Sequence, residues 1–419
     1  MLRPRLDLAA LFLLLGFTGL ARGQSVEVHG VAAGRIYAVE GQTSWVDGGY
    51  GRLTEGAGEA FDGAAGYRGR LHLGVDLDLS ETLRLHTHGT LHVEPGSSRR
   101  QRAGLVEAFL QFRPELSPRT TLRFRAGLYF PPTSLENTER LWQSPYTITL
   151  SALNTWIGEE VRLVGLDAQV QRKVGREDRV DLAGGFFGVN DPSGTLLAWR
   201  GWAFGDRLTT VGEALALPPL TSLAPGGAFA DQRKDGTVPF DELDGGLGWQ
   251  ARARWARPGV ALVQAAWTDN RGDRRLYRGQ YSWRTRFAQT GVQVHLGPNL
   301  TFAAEGALGD TGMGPGVPGG PRVEMRFRVG YALASWAWKG VRLTGRIDGF
   351  RNEDRDGTAE PNDERGWSFT IAGFWQPFSF ARLGLEYIDV RADRPAAGFS
   401  GADPDTHARR AQAEVRLLF

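Results

Sequence analysis

Apolar and polar residues alternate with a period of two along much of this chain, and the pattern is clearest in its last nine residues. Apolar side chains occupy every second position there, at Ala411, Ala413, Val415, Leu417 and Phe419. The positions between them hold Gln412, Glu414 and Arg416, with Leu418 as the one apolar exception. Because successive side chains of a β-strand point to opposite faces, the pattern predicts a terminal strand with one apolar face and one charged face.

The same alternation recurs along the chain and predicts sixteen strands. In the second, Leu71, Leu73, Val75, Leu77 and Leu79 alternate with Arg70, His72, Asp76 and Asp78. A slip of phase near Leu163 predicts a β-bulge in the sixth strand. Short turns follow the even-numbered strands, and longer loops rich in glycine, aspartate and proline follow the odd-numbered ones.

This organisation predicts an all-β fold, an antiparallel up-and-down barrel that spans a membrane with short periplasmic turns and long external loops. A large water-soluble β-sandwich or propeller also alternates. The membrane barrel is favoured because one face stays uncharged over many strands, and a basic side chain at mid-bilayer costs about 2–4 kcal/mol. No apolar run after the N-terminus approaches the roughly 20 residues of a membrane-spanning helix.

The N-terminus has the pattern of an export signal. Arg3 and Arg5 precede an apolar run over residues 8–20, and small residues follow at 21–23. We predict that residues 1–23 are a cleaved signal peptide and that residues 24–419 form a single barrel. The signal carries three arginines and one aspartate, so cleavage takes the formal charge from +2 to zero, and the basic pI does not indicate a nucleic-acid partner. The chain has no cysteine, so no disulfide stabilises it.

The C-terminal Phe419 resembles the residue by which Gram-negative outer-membrane barrels are recognised by their assembly machinery. The export signal, the number of strands and the order of short and long loops together resemble those of 16-stranded porins. The segment 125–132, Arg-Ala-Gly-Leu-Tyr-Phe-Pro-Pro, is similar to the corresponding segment of phosphate-selective porins. The resemblance implies a homotrimer in the outer membrane, in contact with its lipid and lipopolysaccharide. It also implies that the third external loop, residues 129–160, folds into the barrel as a constriction. Residues 190–245 are predicted to form another long external loop.

A 16-strand barrel is wide enough for an aqueous channel, whose fixed charges tune selectivity. The inward positions of the early strands and the third external loop give the predicted pore-lining and constriction residues. These are Arg70, Arg84, Glu107, Arg113, Arg123, Arg125, Glu136 and Glu139. Later strands add further arginines to the predicted inward face, at Arg252, Arg254, Arg284, Arg286, Arg326, Arg328, Arg342, Arg346 and Arg382, together with acids that include Glu324. The excess of arginine predicts a mild preference for anions. The alternative is that these arginines pair with neighbouring acids and only solvate the wall.

Other chemistry has weaker signals. His72, His86, His88 and His92 share the inward face, where they provide either partial metal ligands or, more simply, a polar lining. No nucleophile elbow, zinc-protease motif or phosphate-binding loop is present, so neither an enzyme nor a cofactor is predicted. Two functions remain: a channel for passive diffusion of small hydrophilic, possibly anionic, solutes, and a non-conducting barrel that acts in surface binding, adhesion or scaffolding through its long loops.

Overall fold

Sixteen strands, each paired with the next in the chain, make up the wall of the protein. The structure is a computed structural model and describes residues 24–58, 62–93, 102–232, 236–314 and 322–419. They are β1 Ser25–Glu40, β2 Gly63–Asp78, β3 Leu83–Val93, β4 Ala103–Phe112, β5 Thr120–Tyr129, β6 Leu163–Val174, β7 Asp178–Gly188, β8 Gly248–Arg257, β9 Ala261–Asp269, β10 Arg284–Leu296, β11 Leu300–Met313, β12 Val323–Trp338, β13 Val341–Asp354, β14 Glu364–Phe378, β15 Ala381–Asp393 and β16 Asp405–Leu418. A three-residue segment, Glu115–Ser117, pairs beside β5.

The sheet closes between its first and last strands. β16 pairs antiparallel with β1, from Val31 opposite Leu418 to Glu40 opposite Arg409, and β1 also pairs with β2. Closure leaves no free sheet edge, which a barrel in lipid requires. The fold is thus the predicted antiparallel barrel of sixteen strands. The predicted signal, residues 1–23, lies outside the described residues.

Connections alternate in length. Seven short turns, of two to seven residues, lie at the same end of the barrel as the start of β1 and the end of β16, and longer loops lie at the other end. We call these the short-turn end and the long-loop end. Two connections matter most for the site: loop 3, residues 130–162 between β5 and β6, and loop 4, residues 189–247 between β7 and β8. Loop 3 contains helix α1, Ala152–Glu160, loop 4 contains α2, Thr195–Trp199, and α3, Ala396–Phe399, lies between β15 and β16.

The lower outer face of the wall is apolar, as predicted. Ile371 on β14 and Leu385 on β15 are 53% and 67% exposed, and Val415 and Leu417 on β16 are also exposed. Glu414 and Arg416, which alternate with these two residues along β16, are buried inside. No helix within the described ranges is long and apolar enough to cross a membrane.

Polarity reverses towards the long-loop end of β10 to β15, and there the sequence prediction was wrong. Arg284, Arg286, Glu324, Arg326 and Arg328 lie on the outer face. Their inward neighbours are apolar and buried, among them Phe287, Phe327, Val329 and Phe350. These inward side chains pack against loops that enter the barrel, so the upper wall has an ordinary hydrophobic core inside and charges outside.

The predicted bulge near Leu163 was also wrong. Pairing of β6 with β5 and β7 runs without a register shift, and Leu163 is the first residue of the strand. The change of phase in the sequence marks the junction between loop 3 and β6. Register shifts occur instead between His88 and Gly89 on β3 and between Trp375 and Phe378 on β14.

Candidate functional site within the barrel

Loop 3 crosses the inside of the barrel and contacts opposite sides of the wall. The carbonyl oxygen of Pro132 accepts hydrogen bonds from Arg252 Nη1 at 3.0 Å and Arg254 Nη2 at 2.9 Å, both on β8. Further along, Leu141 lies against Gly74 of β2, in space that a side chain at Gly74 would fill. The loop therefore divides the lumen.

Glu136 and Glu139 of loop 3 are anchored to wall arginines. Glu136 Oε1 accepts from Arg346 Nη1 at 2.5 Å, and Arg346 Nε donates to Asp348 Oδ2 at 2.9 Å; all three side chains are fully buried. Glu139 accepts two hydrogen bonds from Arg382, at 2.7 and 2.9 Å. These arginines lie on β13 and β15. The sequence had suggested that the two glutamates face the arginines of β2 to β5, and the structure does not show that pairing.

Loop 4 supplies a second anchor through Asp206. Its carboxylate accepts from Arg35 Nη2 at 2.6 Å and also pairs with Arg70, while Arg35 bonds Glu414 at 2.7 Å. Burial opposes ionisation of Asp206, but Arg35 and Arg70 outweigh it and hold the pKa of this carboxyl well below its ordinary value. Arg70, which was predicted to line the pore, therefore lies inside the barrel but is bonded to loop 4.

Four arginines lie close together on the part of the wall formed by β5 to β8, two on β5 and two on β8. Arg123 on β5 and Arg252 on β8 both donate to Gln169 Oε1, Arg252 at 3.1 Å, so the two guanidinium groups share one acceptor. Their strand neighbours Arg125 and Arg254 face the same side. We call Arg123, Arg125, Arg252 and Arg254 the arginine group.

Two aspartates on the strands between partly balance the arginine group. Arg125 bonds Asp167 at 3.1 Å, and Asp181 stands opposite Arg254 in the register of β7 and β8. The arginine group and these two aspartates together therefore carry two more positive charges than negative ones. Arg123 Nε and Asp181 Oδ1 are buried without a hydrogen-bond partner among the described residues. Sequence reasoning placed Arg252 and Arg254 inside but left them out of the predicted constriction, because only the register of four successive strands brings them to Arg123 and Arg125.

The remaining predicted residues occupy three different places. Arg84 bonds Asp78 at 2.6 and 3.0 Å towards the short-turn end. Glu107 accepts from the backbone N of Phe130 at 3.1 Å, where loop 3 begins. Arg113 is exposed in the turn after β4 and does not line the lumen wall.

The inward histidines are bonded mainly to one another and to acids. His72 Nδ1 and His88 Nε2 are 3.0 Å apart, and His86 Nδ1 is 2.5 Å from Asp76 Oδ1. In the described part of the chain, two groups bring three ligand atoms within 4.8 Å of one another: Glu27, His29 and Asp76, and Asp191, Glu242 and Asp244. The guanidinium of Arg140 contacts His29 in the first group, which disfavours a cation there.

The second acidic group, Asp191, Glu242 and Asp244, lies in loop 4, close to both of its ends. Burial, and then the neighbouring Asp244 and Glu242, raise the pKa of Asp191 to about 7. Its Oδ2 accepts from the backbone N of Leu243 at 2.6 Å and Asp244 at 3.2 Å. The carboxylate therefore has a structural role in folding loop 4.

No family model and no curated protein matches the chain. Solved structures do. The outer membrane channel DcaP of Acinetobacter baumannii is 12% identical, with a TM-score of 0.53 over 95% of this chain and 98% of that one. OmpF of Salmonella typhi, in complex with daunomycin, is 10% identical, with a TM-score of 0.52 over 95% and 98%. An anion-selective porin from Comamonas acidovorans is 12% identical, with a TM-score of 0.51 over 94% and 100%. The structural neighbours of this chain are thus outer-membrane porins, and it shares their closed 16-strand barrel fold.

Proposed function

We propose that the protein is an outer-membrane porin, a channel for passive diffusion of small hydrophilic solutes with a preference for anions. The arginine group carries this proposal, because four guanidinium groups and two aspartates face one side of the lumen. Arginine stays charged at any working pH, so the positive potential is permanent. Several inward side chains on this side are partly exposed, among them Gln111, Arg123, Gln171 and Arg254, and the proposed path follows them.

The membrane setting rests on the apolar outer face, closure of the sheet and the porin fold. In this proposal residues 1–23 direct export, the short turns are periplasmic, and Phe419 is read by the barrel-assembly machinery. One neighbour, OmpT of Vibrio cholerae, is described as a trimer form; it is 9% identical, with a TM-score of 0.51 over 95% of this chain and 100% of that one. We extend the homotrimer to this protein as part of the proposal.

Ion selectivity in planar bilayers tests the arginine group. In a salt gradient, the wild-type channel is expected to show a reversal potential whose sign indicates a preference for anions. The preference should be larger at about 0.1 M salt than at 1 M, because salt screens fixed charge. Arg123→Ala/Arg125→Ala is expected to reduce the chloride-to-potassium permeability ratio by about twofold or more, since removing the two charges balances the group.

Arg326→Ala/Arg328→Ala is the matched control. It removes the same charge, but from the outer face, and should leave the permeability ratio unchanged. A cation-selective wild type, or an equal effect of the two double variants, would contradict the proposed role of the arginine group.

A non-conducting barrel is the second candidate, and the filled long-loop half favours it. Trp156 of loop 3, Trp202 of loop 4 and Phe327 of β12 form one buried core inside the wall. If this plug is permanent, the exposed loops would carry a binding or adhesion function. Stable insertion into bilayers without ionic current steps would support this candidate over the channel.

A further inference from the structure

The inward face of β7 carries short side chains between longer ones on its two neighbours. Asp181, Ala183 and Gly185 occupy successive inward positions of this strand, and the last two are partly exposed. Gln169 of β6 and Arg252 of β8 stand opposite Ala183, one on each side. The wall therefore has a shallow depression along β7, with Asp181 at the end nearer the short turns. We call it the β7 depression.

Asp181 is a buried acid whose opposite arginine bonds elsewhere. Arg254 stands directly across from it on β8. The guanidinium of Arg254 donates instead to Gln264 Oε1 at 2.7 and 3.1 Å and to Pro132 O at 2.9 Å. Asp181 is 5% exposed, and within the described part of the chain its Oδ1 accepts no hydrogen bond. Because a buried acceptor without a donor is costly, Asp181 suits a ligand that brings its own donor.

Arg123 has an open donor on the same stretch of wall. Its guanidinium and that of Arg252 share one acceptor, Gln169 Oε1, and Arg123 Nε is buried without a hydrogen-bond partner among the described residues. The Arg123 side chain is partly exposed, so a solute in the lumen reaches it. Guanidinium N–H groups form short, charge-assisted hydrogen bonds to carboxylates. The depression thus offers a donor for an anionic group and an acceptor for a cationic one.

This donor and this acceptor lie in neighbouring rows of the wall. Arg123 and Arg252 belong to a row that crosses β5 to β8 at Ala183. Asp181 lies two residues further along β7, about 7 Å from that row along the strand. An amino acid carries its ammonium and carboxylate on one carbon, and with a hydrogen bond of about 2.8 Å at each end it spans about 8 Å. One such molecule therefore contacts both rows.

We propose that the β7 depression is a subsite for small zwitterionic amino acids on their way through the channel. The ammonium group donates to Asp181, and the carboxylate accepts from Arg123. The excess of arginine disfavours simple cations, and Asp181 disfavours simple anions at this position, so a solute that carries both charges fits best. The inference rests on the proposed channel and adds the class of solute that this part of the lumen binds.

Uptake of three matched solutes into proteoliposomes of the full-length protein tests the subsite. L-Serine, glycerate and glycerol share a three-carbon skeleton and are respectively zwitterionic, anionic and neutral. Well below saturation a binding site raises flux, so Asp181→Asn is expected to lower serine uptake relative to glycerol severalfold. The same substitution should raise glycerate uptake, because it removes a repelling charge. A change in net charge alone would leave uptake of the net-neutral serine unchanged.

Arg123→Gln tests the other end of the subsite. It removes the proposed partner of the carboxylate, so it should lower uptake of both serine and glycerate relative to glycerol. Asp310→Asn is the matched control for Asp181→Asn. It removes one acid from the outer face of β11, where Asp310 stands opposite Arg326, and should leave both uptake ratios at their wild-type values. Uptake of glycerol at the wild-type rate shows that each variant is a folded, open barrel.

Equal serine-to-glycerol ratios in wild type and Asp181→Asn would overturn the proposal, because water alone would then serve Asp181. A joint rise of serine and glycerate uptake in Asp181→Asn would also overturn it and would indicate a plain anion site. A wild-type protein that admits none of the three solutes would reject the channel itself, and the subsite with it.

Discussion

Buried charge inside the barrel is held in groups that join loops to wall. Arg346, for example, donates to Glu136 Oε1, to Thr149 O at 2.7 Å and to Leu150 O at 3.1 Å, all in loop 3. Removing one partner of such a buried pair costs about 3–5 kcal/mol, because an uncompensated charge is left behind. Loop 3 is therefore a fixed part of the lumen wall rather than a freely moving segment.

Glu160 is a fully buried acid that forms no ion pair with an arginine among the described residues, so its ionisation is sensitive to pH. Its carboxylate accepts from Trp156 Nε1 at 2.8 Å and from the backbone N of Leu196 at 2.8 Å. Burial raises the pKa of Glu160 to about 7, and these donors offset only part of that effect. The donors bond the ionised carboxylate more strongly, but the cost of burying its charge is larger, so the packing of α1 against α2 is favoured when Glu160 is protonated.

We predict that the packing of loops 3 and 4 becomes less stable as pH rises. The folded protein holds the Glu160 proton to a pKa of about 7, against the ordinary 4.5 of an unfolded chain. Stability therefore falls between pH 4.5 and 7, by about 3 kcal/mol in all at 1.36 kcal/mol per unit. Urea unfolding followed by tryptophan fluorescence at pH 5, 6, 7 and 8 measures it.

Glu160→Gln should make this pH dependence less steep, because glutamine does not titrate, while Asp191 of loop 4, whose pKa is also about 7, keeps its contribution. Glu177→Gln, in the short turn after β6, should keep the slope of wild type. Equal slopes in wild type and Glu160→Gln would show that Glu160 is not responsible.

At the scale of single residues, the sequence indicated correctly which side chains face inward only where the outer face of the wall is apolar. Arg123 and Arg125 follow the alternation and lie inside. Arg326 and Arg328 follow an equally regular alternation and lie outside, because the opposite face there packs on loops. Alternation defines two faces of a strand but does not say which of them is the inner one. Asp206 as the partner of Arg70, and Arg346 as the partner of Glu136, could not be predicted because each pair is far apart along the chain.

Among the elements, the seam between β1 and β16 closes the barrel and ends on Phe419. The backbone N of Gly30 donates to Phe419 O at 2.7 Å, and Phe419 N donates to Gly30 O at 3.1 Å. The aromatic ring covers Gly30 on the outer face, in space that a side chain at position 30 would need. The terminal residue therefore has a packing site as well as its proposed part in recognition by the assembly machinery.

We predict that deleting Phe419 lowers the amount of folded barrel in the outer membrane severalfold, with little change in the conductance of the molecules that assemble. Gly30→Leu should also reduce assembly, because overpacking at a tight contact costs about 1–3 kcal/mol. Membrane fractionation with heat-dependent mobility gives the folded amount.

Gly34→Leu is the matched control, since an added Cβ at that outward glycine of β1 meets no atom within 4 Å. Its folded amount should equal that of wild type. Wild-type levels of the protein lacking Phe419 would count against both the packing site and the assembly signal.

The strands were the most predictable elements because a period of two is a local property. All sixteen, and the alternation of short and long connections, were readable from the sequence. The start of β6 was not, because a change of phase near Leu163 looks the same in the sequence whether a strand bulges or begins. The path of loop 3 through the lumen followed only from the porin resemblance, because Arg346 and Arg382, which anchor it, lie 210 and 243 residues along the chain from Glu136 and Glu139.

For the whole molecule, the reversal of polarity divides the barrel into two parts. The lower part has an apolar outside and a polar lumen, whereas the upper part has charges outside and a hydrophobic core of wall and loops inside. Trp156 is central to that core, with ring centres of Phe287 at 5.1 Å and Phe327 at 5.3 Å. Solute flux through the proposed channel is then limited by how well this core holds loops 3 and 4.

We predict that Trp156→Ala loosens the plug without unfolding the wall. Truncating a buried tryptophan costs about 3–5 kcal/mol, and the strand ladder does not depend on this side chain. Larger or noisier current steps in planar bilayers, together with faster protease cleavage within loops 3 and 4, are expected while heat-dependent mobility stays that of a folded barrel. Trp338→Ala, at the short-turn end of β12 where the ring is half exposed, is the control and should change neither. Unchanged conductance in Trp156→Ala with cleaved loops would mean that the plug does not limit flux.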